Sequence, residues 1–399
     1  MAIRLACTVN NYHWGKTGLS SKAAQFAATN PEIAIDENKP YAELWMGTHP
    51  SGPSKVFGTE TPLSAVIDED ASVALGESVS KQYGGKLPFL FKVLSIEKAL
   101  SIQAHPDKQL AQKLHSERPD VYKDANHKPE MSIALTDFIA LSGFRPLEQI
   151  SEFLTTYPEF NALVPNSSSA FKQAALAGSD AEKRMALKGL FAELMNAHKD
   201  DVQVQLDALV QRVSGEKEAA LVQRLSKEYP GDVGCFCVFM LNVLELKPGQ
   251  AFYMGPNDPH AYIYGDCVEC MATSDNVVRA GLTPKLRDVP VLIDMLTYDY
   301  GSPEHKLLQP QVEGKHKIYD PPIDEFTVKC TTVEKGEQAA LDPIDGPQIL
   351  LVAEGHGILA AGEDTLPLSP GFVYFVCPEI HCTITSQETS LVTFTAQCQ

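Results

Sequence analysis

Two potential metal ligands, Gln103 and His105, lie two positions apart shortly after an apolar run. This pair places the strongest constraint on the fold and function of the 399-residue chain. Residues i and i+2 of a β-strand point to the same face, so both side chains can reach one point in space. Pro106 and Asp107 then end the strand. The chain returns with the segment NHKPE, which supplies the carboxylate of Glu130. An amide, an imidazole and a carboxylate form a mixed nitrogen and oxygen ligand set suited to a divalent cation such as zinc.

A fourth ligand has to come from elsewhere in the chain, and the best candidate is His260 in the segment GPNDPHAY. The alternative is that Gln103 and His105 are polar residues on a solvated strand face, since many histidines are only hydrogen-bonded. The apolar run PFLFKVL that precedes them argues for a central strand. Polar groups that point inward from such a strand need partners, which favours the metal site.

The charge of the chain restricts its partners. The formal net charge is −18, and such a surface repels nucleic acids and anionic membranes, so we expect neither as a partner. An anionic small substrate would need a local group of cations to overcome this field. The basic residues that stand inside otherwise apolar segments are Lys92, Lys128, Arg279 and Lys285.

The nine cysteines show no framework spacing apart from Cys267 and Cys270, which predicts reduced thiols and a cytoplasmic location. No apolar run reaches the about 18 residues that a membrane span needs, and the first residues do not resemble a signal peptide. No long apolar face demands a partner, so we expect a monomer.

The distribution of apolar residues predicts a mainly β protein with an α-helical insertion. Short strand-like runs with turns occupy residues 1–146 and 231–300, with one helix expected over 62–84. Residues 147–230 are rich in Ala, Leu, Lys and Glu with helical periodicity and form the predicted helical domain. Residues 301–399 return to strand-like alternation and form the predicted C-terminal domain.

Both β regions contain the same local pattern. The segment LKPGQAFYMGPNDPH has a Pro-Gly turn, a short strand and a histidine entering the next strand, which resembles the second half of the cupin motif. The segment LSPGFVYFVCPEIH repeats this order and ends at His381. We therefore expect two cupin-like antiparallel β-barrel (jelly-roll) domains. Because His381 lacks a Gln-x-His or His-x-His partner, we expect the C-terminal barrel to be metal-free.

With these motifs in hand, the sequence resembles the type I phosphomannose isomerases of the cupin superfamily over nearly its whole length. The resemblance rests on NYHWG, AELWMGTHPSGPS, LPFLFKVL, LSIQAHPDK, NHKPEM, NDPHAY and SDNVVRAGLTPK. It implies an enzyme with one Zn²⁺ per chain that interconverts mannose 6-phosphate and fructose 6-phosphate through a cis-enediol. It also implies four zinc ligands, the same four suggested by the spacing: Gln103, His105, Glu130 and His260.

Such an isomerisation needs a base, stabilisation of a developing oxyanion and a phosphate-binding group. The resemblance implies that Arg279 is catalytic, whereas a structural ion pair with Asp275 or Glu269 is the alternative. Lys128 and Glu269 are rival bases, and we expect both to act in one proton relay. The remaining predicted substrate contacts are Ser101, Lys92 and Lys285 for the phosphate, with Tyr262, Trp14, Glu43 and Asp275 for the sugar.

Two other functions are compatible with this fold. An iron-dependent cupin dioxygenase would favour two histidines and one carboxylate, whereas this site adds an amide ligand and nearby cations. A non-catalytic sugar-phosphate sensor would have lost catalytic residues, and all of the expected ones are present. The sequence leaves the physiological direction open, towards GDP-mannose synthesis or towards glycolysis.

Overall fold

The computed structural model describes residues 1–215 and 217–399 and begins with short strands separated by loops and small helices. The strands of residues 1–146 are β1 (Ala2–Ala6), β2 (Thr8–Asn10), β3 (Lys16–Thr17), β4 (Pro40–Tyr41), β5 (Glu43–Met46), β6 (Lys55–Val56), β7 (Phe89–Ile96), β8 (Ile102–Ala104), β9 (Glu130–Ala134) and β10 (Phe138–Phe144). The helices of this region are α1 (Lys22–Ala27), α2 (Leu63–Glu69), α3 (Ala71–Leu75), α4 (Glu77–Gln82) and α5 (Lys108–Glu117).

The single helix expected over residues 62–84 is divided into α2, α3 and α4. Asp70 interrupts the helical backbone and its side chain accepts hydrogen bonds from the backbone N–H groups of Ser72 and Val73, which caps α3. Gly76 ends α3 with a φ of 83°, in the left-handed region that favours glycine. A Cβ atom at this position would also lie 2.6 Å from the Asp345 carboxylate. Local capping chemistry therefore overrides the helical periodicity.

The helical region follows, and its buried side chains form one continuous core with strand residues such as Ile102, Leu141 and Ile263. Its helices are α6 (Leu147–Thr156), α7 (Pro158–Ala162), α8 (Ser168–Ala177), α9 (Asp180–Met195), α10 (Lys199–Arg212) and α11 (Lys217–Glu228). The side chain of Ser179 and that of Glu182 form a reciprocal capping box at the start of α9. One face of α9 buries Leu187, Leu190 and Phe191, as expected of an amphipathic helix.

The chain then returns to strands, which account for about half of its remaining length. These elements are β11 (Leu241–Leu246), β12 (Ala251–Met254), β13 (His260–Ala272), β14 (Val278–Gly281), α12 (Val289–Met295), β15 (Leu307–Leu308), β16 (Gln311–Glu313), β17 (His316–Tyr319), β18 (Thr327–Val333), β19 (Gln338–Leu341), β20 (Gln348–Glu354), β21 (Gly357–Ala361), β22 (Asp364–Leu368), β23 (Val373–Val376), β24 (Cys382–Ser386) and β25 (Leu391–Gln397). Short 3₁₀ helices cover Gly18–Ser20, Val233–Phe239 and Pro303–Lys306.

Strand β13 is the centre of an 11-stranded antiparallel sheet, in which it pairs with β7, β8, β9 and β10. Strand β7 is buried along its whole length and its side chains alternate between two cores. Phe89, Phe91 and Val93 pack towards the C-terminal sheet, whereas Leu94 and Ile96 pack in the interior of the 11-stranded sheet. This burial on both faces explains why PFLFKVL is almost continuously apolar.

The C-terminal part consists of an 8-stranded and a 4-stranded antiparallel sheet. Strand β20 lies between two cores, because Ile349 and Leu351 pack towards the 11-stranded sheet whereas Leu350 and Val352 pack towards the 4-stranded one. Strand β1 pairs with β23, so the first strand of the chain belongs to the same sheet as its last. The predicted fold class, with two cupin-like barrels and a helical insertion, is confirmed.

Over residues 1–215 and 217–399, no helix has the length and apolarity needed to cross a membrane. His381 is exposed, beyond the end of β23.

A buried ion pair joins the N-terminal loop to the central strand. Lys16 Nζ lies 2.5 Å from Asp266 Oδ2, and these residues are 7% and 1% exposed. The Asp266 carboxylate also accepts hydrogen bonds from Thr136 Oγ1 at 3.2 Å and from the backbone N–H of Lys22 at 3.3 Å. The loop of residues 12–15, just before Lys16, is thereby held next to β13.

Replacing Asp266 by Asn should lower the free energy of unfolding by about 3–5 kcal/mol, because Lys16 would remain as a buried charge without its partner. Asp137→Asn is the matched control, since its ion pair with Lys247 has both side chains 73% exposed. That substitution should cost less than about 1 kcal/mol. Chemical denaturation of both variants measures the difference, and equal costs would contradict the structural role of the buried pair.

Candidate metal centre and catalytic cavity

Strand register brings the predicted ligands together from distant parts of the sequence. Gln103 on β8 lies opposite His260 on β13, and on its other side it lies opposite Arg279 on β14. Directly paired residues on neighbouring strands point to the same face of the sheet. His105 follows β8 by one residue, and Glu130 begins β9 beside β13.

The ligand atoms converge on one small volume. Glu130 Oε2 lies 3.4 Å from His105 Nε2 and 3.3 Å from His260 Nε2. The three ligand atoms all lie within 4.8 Å of one another, and the three residues are buried. Gln103 Nε2 lies 3.5 Å from His105 Nε2, so rotation of the amide would turn its oxygen towards the same point.

The hydrogen bonds behind the two imidazoles orient them for metal binding. His105 Nδ1 lies 2.7 Å from the carbonyl of Asn276, and His260 Nδ1 lies 3.0 Å from the carbonyl of Asp258. A carbonyl only accepts, so both Nδ1 atoms carry the proton and both Nε2 lone pairs face Glu130. Within the described residues, Glu130 Oε2 and His260 Nε2 are buried atoms without a hydrogen-bond partner.

Protonation states point the same way. Burial lowers the pKa of His105 to about 4, so this imidazole is neutral near pH 7. Burial alone would raise the pKa of Glu130, but the charge of the Lys128 ammonium holds it well below its usual range. A carboxylate oxygen facing two imidazole lone pairs is a repulsive arrangement that a divalent cation resolves. These residues therefore fit the zinc ion that the sequence implies.

A carboxylate behind the site holds the loop that orients His105. Asp124 accepts hydrogen bonds from Ser274 Oγ and from the backbone N–H of Asp275, both at 2.8 Å. The side-chain amide of Asn276 donates to the backbone carbonyl of Asp124 at 2.7 Å, and the backbone carbonyl of Asn276 accepts from His105 Nδ1. Asp124 thus holds the segment whose Asn276 carbonyl orients the His105 imidazole.

A cavity of about 370 Å³ opens beside the ligand group. Most of the predicted site residues line it, namely Trp14, Glu43, Lys92, Ser101, Gln103, Lys128, Glu130, Tyr262, Glu269, Arg279 and Lys285. His105 and His260 lie behind its wall in contact with Glu130. Asp275 lies outside the wall and forms an ion pair with His49 at 3.3 Å.

One wall of the cavity is a buried network around Glu269. Its Oε1 accepts the hydroxyl of Tyr262 at 2.6 Å, and its Oε2 lies 3.1 Å from Lys92 Nζ. Lys92 also approaches Glu43 at 3.5 Å, and Glu43 accepts the indole N–H of Trp45. Burial would lower the pKa of Lys92, but the two carboxylates more than offset this and raise it, so Lys92 stays charged. Burial raises the pKa of Glu269 above its usual range.

Two other cations of the cavity wall lack carboxylate partners. In the part of the chain that the structure describes, neither Arg279 nor Lys285 forms an ion pair, so the alternative pairing of Arg279 with Asp275 or Glu269 is not observed. Burial lowers the pKa of Arg279, but an arginine so perturbed is still charged at neutral pH. Lys128 differs, because its Nζ lies 3.0 Å from Glu130 Oε1.

The cavity wall also includes residues that the sequence reasoning missed. Those with polar or aromatic side chains are Tyr12, His13, Tyr229 and Thr283. Tyr12 and His13 belong to the NYHWG motif, which could have pointed to them. Tyr229 comes from the end of the helical region, where its hydroxyl donates to the carbonyl of Ala99, and no local signal singled it out.

Comparison with known proteins decides the family. Models of the catalytic domain, the helical insertion domain and the C-terminal domain of type I phosphomannose isomerase match residues 2–147, 163–241 and 317–364. The chain belongs to the type I phosphomannose isomerase family. The mannose-6-phosphate isomerase of Cryptococcus neoformans is 47% identical to it, covering 92% of each chain. That of Schizosaccharomyces pombe is 44% identical, covering 99% of each.

Solved structures of phosphomannose isomerases share the fold. A mutant of the Salmonella typhimurium enzyme superposes with a TM-score of 0.86 at 31% sequence identity, covering 100% of each chain. A mannose 6-phosphate isomerase structure bound with zinc and yttrium gives a TM-score of 0.85 at 31% identity, again covering 100% of each chain. A family member of the same fold therefore binds zinc, as the ligand group here predicts.

Replacing Asp124 by Ala should weaken zinc affinity about 10–100-fold, because Ser274 Oγ and the Asp275 N–H would lose their acceptor and the segment that places the Asn276 carbonyl against His105 would be held less firmly. Competition with a chromophoric chelator measures the affinity, and the Co²⁺-substituted protein reports ligand geometry by its absorption spectrum. Asp120→Ala is the matched control, since that exposed aspartate lies in the same loop. Equal affinities of the two variants would show that Asn276 is held in place without Asp124.

Proposed function

We propose that the chain is a zinc-dependent aldose–ketose isomerase that interconverts mannose 6-phosphate and fructose 6-phosphate, with one zinc ion per chain. The observation that carries the proposal is the buried group of His105, Glu130 and His260 beside a cavity lined by Arg279. The curated relatives named mannose-6-phosphate isomerase support the substrate, and the zinc-bound relative supports the metal.

Four residues would hold the metal: Gln103, His105, Glu130 and His260. When bound, zinc supplies Lewis-acid stabilisation of negative charge on substrate oxygens. Turning the Gln103 amide towards the metal also changes Ser101, whose hydroxyl now donates to Gln103 Oε1 at 3.2 Å. With the amide turned, Ser101 accepts from the amide N–H₂, and its own proton becomes free to donate to substrate.

The reaction moves one proton from C2 to C1 and another from the O2 hydroxyl to O1. We assign the carbon-bound proton to Glu269, because its carboxylate lines the cavity and burial raises its pKa, which makes it a stronger base. Lys92 and Tyr262 fix that carboxylate from behind. Lys128, an ammonium donor at the cavity wall beside Glu130, acts on the oxygen-bound proton. The two residues thus share one relay.

Arg279 stabilises the negative charge that develops on the sugar oxygens. A guanidinium without a carboxylate partner is available for this, and a preorganised cation in a partly dry cavity stabilises charge strongly. Lys285 at the rim and Ser101 are the proposed phosphate contacts, with Trp14 as part of the sugar-binding wall. Glu43 supports the site through Lys92, and Asp275 acts at its margin, paired with His49.

Isomerase activity should follow zinc content. Purified protein should form fructose 6-phosphate from mannose 6-phosphate, lose this activity on chelation and recover it when zinc is added back. A coupled assay with metal quantified in the same samples measures this. Activity that tracks iron instead would favour the dioxygenase-type site, and zinc-loaded protein without turnover would favour a sensor.

Two variants separate the metal from the chemistry in that assay. His260→Ala should lose both zinc and activity, because it removes one strong ligand. Arg279→Ala should keep zinc but lose about 100-fold or more in turnover, the order of magnitude for removing one preorganised oxyanion donor. Near-normal turnover of Arg279→Ala would refute the assigned role.

Exchange with solvent deuterium distinguishes the two members of the relay. Glu269→Gln should abolish both isomerisation and exchange of the C2 proton of mannose 6-phosphate in D₂O. Lys128→Met should lose more isomerisation than C2 exchange, because it leaves the carbon base in place. Proton NMR follows the C2 signal. If Lys128→Met abolished C2 exchange and Glu269→Gln retained it, Lys128 would be the carbon base and Glu269 would act on the oxygen-bound proton.

The cytoplasmic location, the monomeric state and the domain boundaries at residues 146, 230 and 300 stay predictions. The physiological direction also stays open: the enzyme would either supply mannose 6-phosphate for GDP-mannose synthesis or feed mannose into glycolysis. Sedimentation of the purified chain would test the monomer directly.

A further inference from the structure

A second cavity of about 590 Å³ adjoins the catalytic one. The two cavities share four wall residues, His13, Tyr229, Thr283 and Pro284. The second cavity extends from there towards the helical region, where the start of α10 and the end of α11 contribute to its wall. The metal site uses none of its remaining residues.

Three cations line this cavity: Lys98, Lys199 and Arg287. None of them has an ion-pair partner within residues 1–215 and 217–399, although the whole chain carries a formal charge of −18. Lys98 Nζ lies 4.3 Å from the ring centroid of Tyr229. Arg287 Nη2 donates to the carbonyl of Met195 at 2.9 Å, whereas its Nε is buried without an acceptor.

The two carboxylates in the same wall already accept hydrogen bonds from other groups. Glu228 accepts the Arg224 guanidinium at 2.9 Å on one oxygen and the backbone N–H of Ala99 at 2.8 Å on the other. Asp232 accepts three backbone N–H groups, those of Gly234, Leu282 and Thr283, at 2.7, 2.7 and 3.1 Å. Both side chains hold the loops around the cavity, and in the described residues neither forms an ion pair with Lys98, Lys199 or Arg287.

We propose that this cavity is a second anion subsite, which binds a phosphate group while the catalytic cavity holds its own sugar phosphate. The Arg287 guanidinium and the two ammonium groups, none of which forms an ion pair in the described residues, are donors of the kind that phosphate oxygens accept from. The phosphate has two possible sources: free inorganic phosphate, or the second phosphate of a bisphosphorylated sugar that spans both cavities. The proposal rests on the proposed function only because the adjoining cavity is taken to hold a hexose 6-phosphate.

The test starts from zinc-loaded protein freed of excess zinc and titrated with the equilibrium mixture of mannose 6-phosphate and fructose 6-phosphate. Failure of this first titration would count against the proposed function alone. With the mixture at saturation, calorimetric titration with inorganic phosphate should reveal about one further site per chain. Two results together would overturn the second subsite: inorganic phosphate does not bind the saturated protein, and fructose 1,6-bisphosphate binds no more tightly than the hexose 6-phosphates.

Variants identify the site. Lys98→Gln combined with Lys199→Gln should weaken this phosphate binding at least about 10-fold, since each removes a charged donor, while Arg287 is left unchanged because it also holds Met195. The double Lys→Arg variant keeps both charges and should retain binding. Lys335→Gln removes an exposed lysine of the C-terminal part and should have no effect. Unaltered binding by the double Gln variant would place the phosphate elsewhere and refute the assignment.

Fructose 1,6-bisphosphate distinguishes the two sources. If it spans both cavities, it should compete with mannose 6-phosphate, and its inhibition constant should rise in the double Gln variant but not in the double Arg variant. If free phosphate is the ligand, inorganic phosphate should bind the saturated protein and the bisphosphate should show no advantage over fructose 6-phosphate. Either result supports a phosphate subsite at Lys98 and Lys199.

Discussion

The carboxylate of Glu130 is the group on which the site depends. The residue is 2% exposed, and within the described chain its Oε2 has no hydrogen-bond donor and faces the lone pairs of two imidazoles. A buried charge of this kind costs several kcal/mol unless a cation answers it. Lys128 forms an ion pair with one of the two carboxylate oxygens, Oε1. The other is left for a metal, so the arrangement of His105 and His260 makes physical sense only as a ligand set.

Periodicity along one strand pointed to two of the four proposed ligands. Gln103 and His105 are two positions apart, and that spacing alone put them together. Glu130 and His260 are joined to them only by the pairing of β8, β9 and β13, which depends on contacts more than a hundred residues apart in sequence. No local pattern encodes that register, so these two came from motif and resemblance. Arg279 is similar, since its place opposite Gln103 follows from β14.

Glu269 shows a limit of strand periodicity. It is nine residues after His260 on the same strand, so simple alternation would put the two side chains on opposite faces. The register of β13 shifts between Tyr262 and Tyr264, and Gly265 adopts a φ of 118°, which returns Glu269 to the cavity side. A Cβ atom at Gly265 would lie 2.6 Å from the carbonyl of Asp137. One bulge and its glycine thus decide whether this carboxylate can serve as a base.

The cations of this acidic chain fall into two groups with different consequences. Lys92 and Lys128 are matched by carboxylates, so they position those carboxylates and add little net attraction for an anion. Arg279 and Lys285 have no such partners in the described structure, and they create the local positive field that a net charge of −18 opposes elsewhere. An anionic substrate is therefore attracted by Arg279 and Lys285 rather than by Lys92 and Lys128. The same cavity thus offers cations that attract an anion and, at Glu269, a buried carboxylate whose raised pKa suits it to accept a proton.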